Sequence, residues 1–325
     1  NDAPDMAKER FYNKADMVIT LTGSGSNTML TNVTVRLGSA SGTLISSNIW
    51  DRFIDPNMRF YNKRENKTVN CLDINIGNLV HWDSTNTLAT KTSQGLTNGT
   101  VTIIYVDDQR NFTGSIGSSW QPGVRVKNGH LLPPKGLTVA TPVPIYTWGH
   151  YNVKDPTGNG YPLSGSQPHN TLRTEPAALI GDAITVLSGD WNDANSTLGL
   201  GSRDAVNTTV NAAFLAGIVE TASGSGYSGG AENFPRFLED WGGKTFVYNG
   251  SMVVMYPSKF ATGLWINTGA APSGPDIYNP PSRDWAFDTN FRDVNKLPPG
   301  TPCARKLIRN MWSMIKPNTT TPLQP

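Results

Sequence analysis

Gly136-Leu137-Thr138-Val139-Ala140-Thr141, with Pro144-Ile145-Tyr146-Thr147-Trp148-Gly149 close behind, is the passage that decides the fold. Both runs are short and rich in β-branched and aromatic residues, which marks them as strands. The same grammar returns at Ala177 to Ser188, at Thr209 to Val219 and at Phe246 to Tyr256, with a small residue or glycine at the bend inside most of these runs. Paired short strands joined at a bend predict coils stacked in parallel, each burying its inward side chains on its neighbours. The expected fold class is mainly β: a right-handed parallel β-helix or solenoid, with an N-terminal β-rich segment and a few short helices.

Working outward, Val101 to Val106 begins the expected solenoid and Val124-Arg125-Val126 follows. Ile103, Val124 and Ile145 stand 21 residues apart (124 − 103 and 145 − 124), a usual solenoid period. From Ile184 to Phe214 the step is 30, so loops must bulge outward, the largest over Asn152 to Pro176. Upstream, Ala15, Met17, Ile19 and Leu21 alternate. After a turn at Gly23 to Asn27, so do Val33, Val35 and Leu37, the pattern of two strands in a half-buried sheet. Asp73 suits a helix N-cap ahead of Ile76, Leu79 and Val80.

Downstream, Phe234, Phe237, Leu238 and Trp241 fall at i, i+3, i+4 and i+7, with Asn233 and Gly242 as start and stop signals. That spacing predicts a short helix near 233–241 laid on the solenoid. Prolines punctuate the chain after Tyr256, and Ala304 to Met314 reads as a further short helix. Three regions are expected: 1–100, N-terminal and β-rich with a short helix; 101–256, the solenoid with its inserted loops; and 257–325, a Pro-rich C-terminal segment.

Composition narrows the function classes. Of 325 residues only 16% are charged, the net charge is +2, and 32 glycines and 23 prolines favour turns. Near neutrality argues against nucleic acid, which demands clustered Lys and Arg; Arg305, Lys306 and Arg309 read as a solvated helix face. Cys71 and Cys303 allow one long-range disulfide or two buried thiols. His81, His130, His150 and His169 show no metal-ligand spacing. No apolar run reaches membrane-span length. The chain opens on Asn1, which reads as a processed or truncated form with any leader upstream. Asn-x-Ser/Thr sites stand at Asn32, Asn66, Asn98, Asn111, Asn195, Asn207, Asn249 and Asn318, and they carry glycans only where the compartment has the machinery.

The motifs that hint at chemistry read better as structure. Gly226-Tyr227-Ser228-Gly229-Gly230 has the nucleophile-elbow pattern, but every histidine lies upstream of Ser228, against the required order. Gly224, Gly226 and Gly229 fit a dinucleotide fingerprint without its helix. Asp190 to Asn195 starts like a calcium loop, yet Ala194 and Asn195 stand where a ligand and a glycine belong, so a capped turn is expected. Asp107 and Asp108 solvate a bend, and Glu239 and Asp240 diverge as a cap and surface pair. Polysaccharide cleavage needs acids converging from successive coils, and Asp182 is the best single candidate for such a site. Tyr146, Trp148, Tyr151 and Trp191 suit core packing and coil-end lids better than sugar stacking. The sequence thus assigns no catalytic, cofactor-binding or metal-binding residues.

The phrases GLTVATPVPIYTWGHYN from Gly136, PAALIGDAITVLS from Pro176, TTVNAA from Thr208, YSGGAENFPRFLEDW from Tyr227, FVYNGSMVV from Phe246 and LPPGTP from Leu297 carry a resemblance. So do FYNKADMVI from Phe11 and FYNKRENKTV from Phe60. The chain resembles the large bacterial type IV pilus-assembly-associated surface proteins, which carry a prepilin-like N-terminal helix ahead of a long β-rich passenger. The likeness implies export, a β-helical passenger and a structural or adhesive role at the cell surface, pilus-associated or as a self-assembling filament subunit. Expected partners are further copies of the chain and surface glycans, with no nucleic acid and no membrane span. The alternative expectation is a carbohydrate-binding or polysaccharide-cleaving β-helix.

Overall fold

The computed structural model describes residues 3–23, 29–86, 93, 99–112, 119–155, 168–218, 233–263 and 277–302. Its elements are mainly strands, numbered in chain order and gathered into three sheets. The first sheet has the order β16 (Met252–Pro257), β13 (Ala213–Ile218), β10 (Ala177–Gly181), β8 (Leu137–Ala140), β6 (Ile103–Asp108), β1 (Met17–Gly23), β2 (Leu30–Leu37) and β3 (Thr43–Ile45). The second runs β14 (Arg236–Phe237), β11 (Ile184–Leu187), β9 (Ile145–Trp148), β7 (Trp120–Lys127), β5 (Lys67–Asn75) and β4 (Ile54–Asn62). A third joins β12 (Thr208–Asn211), β15 (Thr245–Gly250) and β17 (Ser282–Phe287).

Among the described residues, antiparallel pairing is confined to β1–β2, β2–β3 and β4–β5. The strand pairs that follow along the chain are parallel: β1–β6–β8–β10–β13–β16 in the first sheet and β5–β7–β9–β11–β14 in the second. Between β6 and β11 the chain visits the two sheets alternately. A strand's partner is therefore two strands further on. In the first sheet Ile103 meets Thr138, Thr138 meets Ala178 and Ala178 meets Ala213, steps of 35, 40 and 35 residues (138 − 103, 178 − 138, 213 − 178).

That alternation corrects the expected 21-residue period. Val124 does lie beside Ile145, but Ile103 belongs to the other sheet. A spacing measured across successive strands mixes two sheets and is no structural repeat.

Why these stretches pack is visible in the register. Met17, Ile104, Val139, Leu179 and Phe214 are successive partners across five strands, and every one is fully buried. Leu72, Val124, Ile145 and Ile184 form the matching column in the second sheet, also fully buried. Each such side chain is worth roughly 1.5–3 kcal/mol of burial, provided a neighbour lies on each side. A smaller cluster covers the outer face of the second sheet, where Phe60, Val69, Cys71, Tyr146, Leu187, Trp191 and Leu238 meet.

At the corner between the third and first sheets, buried amides replace apolar side chains. The Asn152 amide donates to the Asn211 carbonyl at 2.9 Å, and Asn211 donates back to the Asn152 carbonyl at 2.8 Å. Asn249 then donates to Asn211 Oδ1 at 2.8 Å. Stacked amides thus satisfy one another from segment to segment across the bend. Next to this ladder the rungs touch backbone to backbone: a Cβ at Gly250 would collide with the Ala212 carbonyl, which explains the glycine.

Two local expectations need correction. Asp73 caps no helix; it lies inside β5, and Asn75 caps the helix Ile76–Thr85 through a bond from the Asn78 amide. The expected helix near 233–241 is instead extended chain, with Arg236 and Phe237 pairing Thr185 and Val186 as β14. All four apolar residues are buried there, but on two sides of the second sheet. Phe234, Phe237 and Trp241 enter the main core, while Leu238 joins the outer cluster. An in-and-out strand thus mimicked the helical spacing. The Gly23–Asn27 turn beyond Gly23 and the helix expected at Ala304 to Met314 lie outside the described residues.

Candidate functional site

Most of the acids that the sequence offers are used by the fold, while Asp190 is exposed. Asp182 is buried at the corner between β10 and β11. Its carboxylate accepts from Ser258 Oγ and the Lys259 amide, both at 2.5 Å, and from the amides of Phe260 at 2.9 Å and Ala261 at 3.2 Å. Three of those bonds fall on Oδ2 and one on Oδ1, so Asp182 ties down the chain after β16.

Asp193 behaves likewise. It accepts from Arg125 Nη1 at 2.6 Å, Arg125 Nη2 at 2.9 Å and Trp191 Nε1 at 2.8 Å, so it turns inward from its capped turn and away from any surface cation. Asp73 grips the same guanidinium from the other side at 2.8 and 2.9 Å, and Lys127 adds a third cationic contact to Asp73 at 2.8 Å. Burial alone would pull the Arg125 pKa down. The bonds to Asp193 and Asp73 outweigh it, so the pKa is raised and the group stays charged.

Glu239 is fully buried, not a surface cap. It accepts from the Ser188 amide and Ser188 Oγ, both at 2.6 Å. Burial pushes its pKa up to about 7, against the opposing pull of the two Ser188 bonds. Asp240 points elsewhere, accepting from the Gly242 amide and the Asn279 side chain. Asp108 is held by Arg110 and Asp107 by Gln109. Tyr146, Tyr151 and Trp191 are buried, and Trp148 covers the Arg125 guanidinium with its ring centroid 4.5 Å away.

Cys71 is a free, buried thiol whose pKa burial raises. Among the described residues no group of three or more His, Cys, Asp or Glu side chains could hold a metal ion. No described helix is long and apolar enough to cross a membrane. Ser228, its neighbouring glycines, Cys303, Arg305, Lys306 and Arg309 lie outside the described residues. Of the eight Asn-x-Ser/Thr sites, Asn249 is buried in the amide ladder and so closed to a glycan.

One ligand-sized feature has no counterpart in the sequence reading. A cleft of about 470 Å³ opens between the start of β8 and the chain after β17. That volume falls within the roughly 300–1,000 Å³ of small-molecule sites. Lys135 and Lys296 stand on its walls with Glu175 and Asn290, while Phe291 and Leu297 supply apolar surface. Lys135 adopts a left-handed backbone (φ 75°) directly before Gly136 (φ 92°), an uncommon conformation for a residue with a side chain. Burial raises the Glu175 pKa, opposed by a bond from the Lys135 backbone. Asn290 is fixed from below by its bond to the Thr171 carbonyl at 2.6 Å and accepts from Lys296 Nζ at 3.2 Å. The cleft therefore offers donors, acceptors and a ring in one place. Its walls come from separate segments, so no motif announces it; the Lys135-Gly136 turn is the one local signal.

No protein-family profile matches the chain, and no characterised protein or solved structure matches it either.

Proposed function

We propose that this chain is an extracellular, cell-surface structural or adhesive protein built as a right-handed parallel β-helix. The observation that carries the reading is the unbroken column of parallel partners from Met17 to Phe214, backed by the buried amide ladder Asn152–Asn211–Asn249. Such stacking makes a stiff, elongated unit that depends on nearest neighbours. The right-handed sense follows from the general rule for parallel crossovers. Low charge and the likeness to pilus-assembly-associated surface proteins support the setting, including association with pili or with copies of itself. Limited proteolysis of intact producing cells, with immunogold labelling of the native surface, tests it. Gold on the envelope or on pili is the expected result; a protein protected until lysis would overturn the localisation.

The cleft supports a second reading, a carbohydrate-binding or polysaccharide-cleaving β-helix. Sugar hydroxyls both donate and accept, which suits a pocket holding ammonium, amide and carboxyl groups beside an aromatic ring. A panel of neutral oligosaccharides would be screened for binding and for reducing-end release. Lys135→Ala and Phe291→Ala are expected to weaken any binding, and Glu175→Gln to abolish any cleavage. Binding indifferent to both cleft variants would remove this reading.

A further inference from the structure

β16 is the last strand of the first sheet, and its outer backbone edge has no strand partner among the described residues. In register, Met252 and Val254 extend the columns of Phe214 and Ala216, yet Val254 is 47% exposed, with no strand among the described residues over it. Val253, Met255 and Tyr256 are exposed as well, and no residue of β16 carries a charge. The strand is nevertheless held in place. Tyr256 Oη donates to the Gly181 carbonyl at 2.8 Å, and Asp182 anchors the residues just after it. An ordered edge loses little freedom when it takes a partner.

Three of the other edge strands are built differently. β3 has only three residues. β4 contains Pro56, a register shift between Asp55 and Met58, and the exposed charges Asp55 and Arg59. β17 carries Arg283 and Asp284. Short strands, proline, bulges and charge are the devices by which proteins keep edges from pairing. A head-to-tail filament would need an adhesive surface at both ends.

We infer that two copies meet tail to tail, β16 lying antiparallel to its counterpart about a two-fold axis, so that each covers the other's open core. In such an arrangement the same patch serves both sides, and the open, uncharged edge meets its own kind. This refines the proposed surface role, in which copies associate, by naming the strand and limiting the assembly to a pair.

Sedimentation velocity on the full chain across a wide concentration range tests it. A monomer–dimer equilibrium is expected, and Val254→Lys is expected to raise its dissociation constant on the order of 100-fold or more by placing like charges near the axis. Val253, Val254 and Met255, changed singly to cysteine in a Cys303→Ser background, should yield a disulfide-linked dimer from at least one of them. Circular dichroism confirms that each variant folds. A monomer at every concentration overturns the inference, even if the protein is found on the cell surface. Open-ended growth overturns the two-fold while leaving self-association standing. A dimer that forms only after truncation at residue 302 overturns it too, since the chain's own tail would then cover the edge.

Discussion

The two halves of the molecule fill their interiors with different side chains. Toward the N-terminus the core is mainly aliphatic, with Met17, Ile19, Leu21, Val35, Leu37, Leu72, Ile74, Val124 and Val126 in one cluster and the Phe53–Trp82 ring pair beside them. Beside it, on the outer face of the second sheet, sits the buried network of Asp73, Arg125 and Asp193. Toward the C-terminus the core is aromatic. Phe214 contacts Phe234 and Tyr248, Phe237 contacts Trp241, Phe246 and Tyr278, and Trp285 contacts Phe246 and Tyr248, with centroids 4.8 to 6.5 Å apart. The change coincides with the third sheet, which begins at Thr208. Beside that sheet the core is lined by rings that bury roughly 150–250 Å² each.

The largest effect should come from the first half. Arg125→Met leaves two carboxylates facing each other, and removing one partner of a buried pair costs about 3–5 kcal/mol. Urea unfolding would register the loss. Hydrogen exchange then breaks or sharpens the contrast: faster exchange confined to β5 and β7 means the halves are separable, whereas uniform acceleration means they unfold as one.

Glu239 gives the second half its own signature. Its folded pKa of about 7 lies above the usual 4.5. The stability linked to its protonated form is therefore complete below pH 4.5 and lost as pH rises through about 7. The change is on the order of 3 kcal/mol. Glu239→Gln keeps a neutral group and should flatten the difference between pH 5 and 8; a variant with the wild-type slope would show that another group is responsible.

Asn211→Ala should cost about 1–3 kcal/mol by orphaning the amides above and below it. A thermal melt checks this, and an unchanged midpoint would mean the ladder adds nothing to the aromatic packing. The smallest effect on stability, within about 0.5 kcal/mol, is expected from Pro56→Val combined with Arg59→Val on β4. That pair should unblunt the N-terminal edge, and light scattering should detect species larger than dimers.

How much was legible follows from what each pattern encodes. Alternation fixes which residues face inward, so Met17, Ile19, Leu21, Val35 and Leu37 were readable as core and are fully buried. The bend-linked pairs at Leu137–Ala140 with Ile145–Trp148, and Ala177–Gly181 with Ile184–Leu187, were readable as strands. Partner choice was not, because period-two patterning says nothing about which strand lies alongside; Ile103 was matched to the wrong sheet for that reason. Phe237 and Leu238 satisfied a helical template while facing opposite sides of a strand. The cleft escaped entirely, since Lys135, Glu175, Asn290 and Lys296 meet only after the chain is stacked.

Return lengths differ between the sheets. After a first return of 87 residues (104 − 17), successive partners in the first sheet recur after 35, 40, 35 and 38 (the last 252 − 214), while in the second they recur after 52, 21, 39 and 51 (124 − 72, 145 − 124, 184 − 145, 236 − 185). Past β6 the first sheet keeps a nearly even pitch, while the second does not. Insertions and deletions fixed over evolutionary time should gather in the connections whose lengths already vary, leaving the register of the buried columns intact.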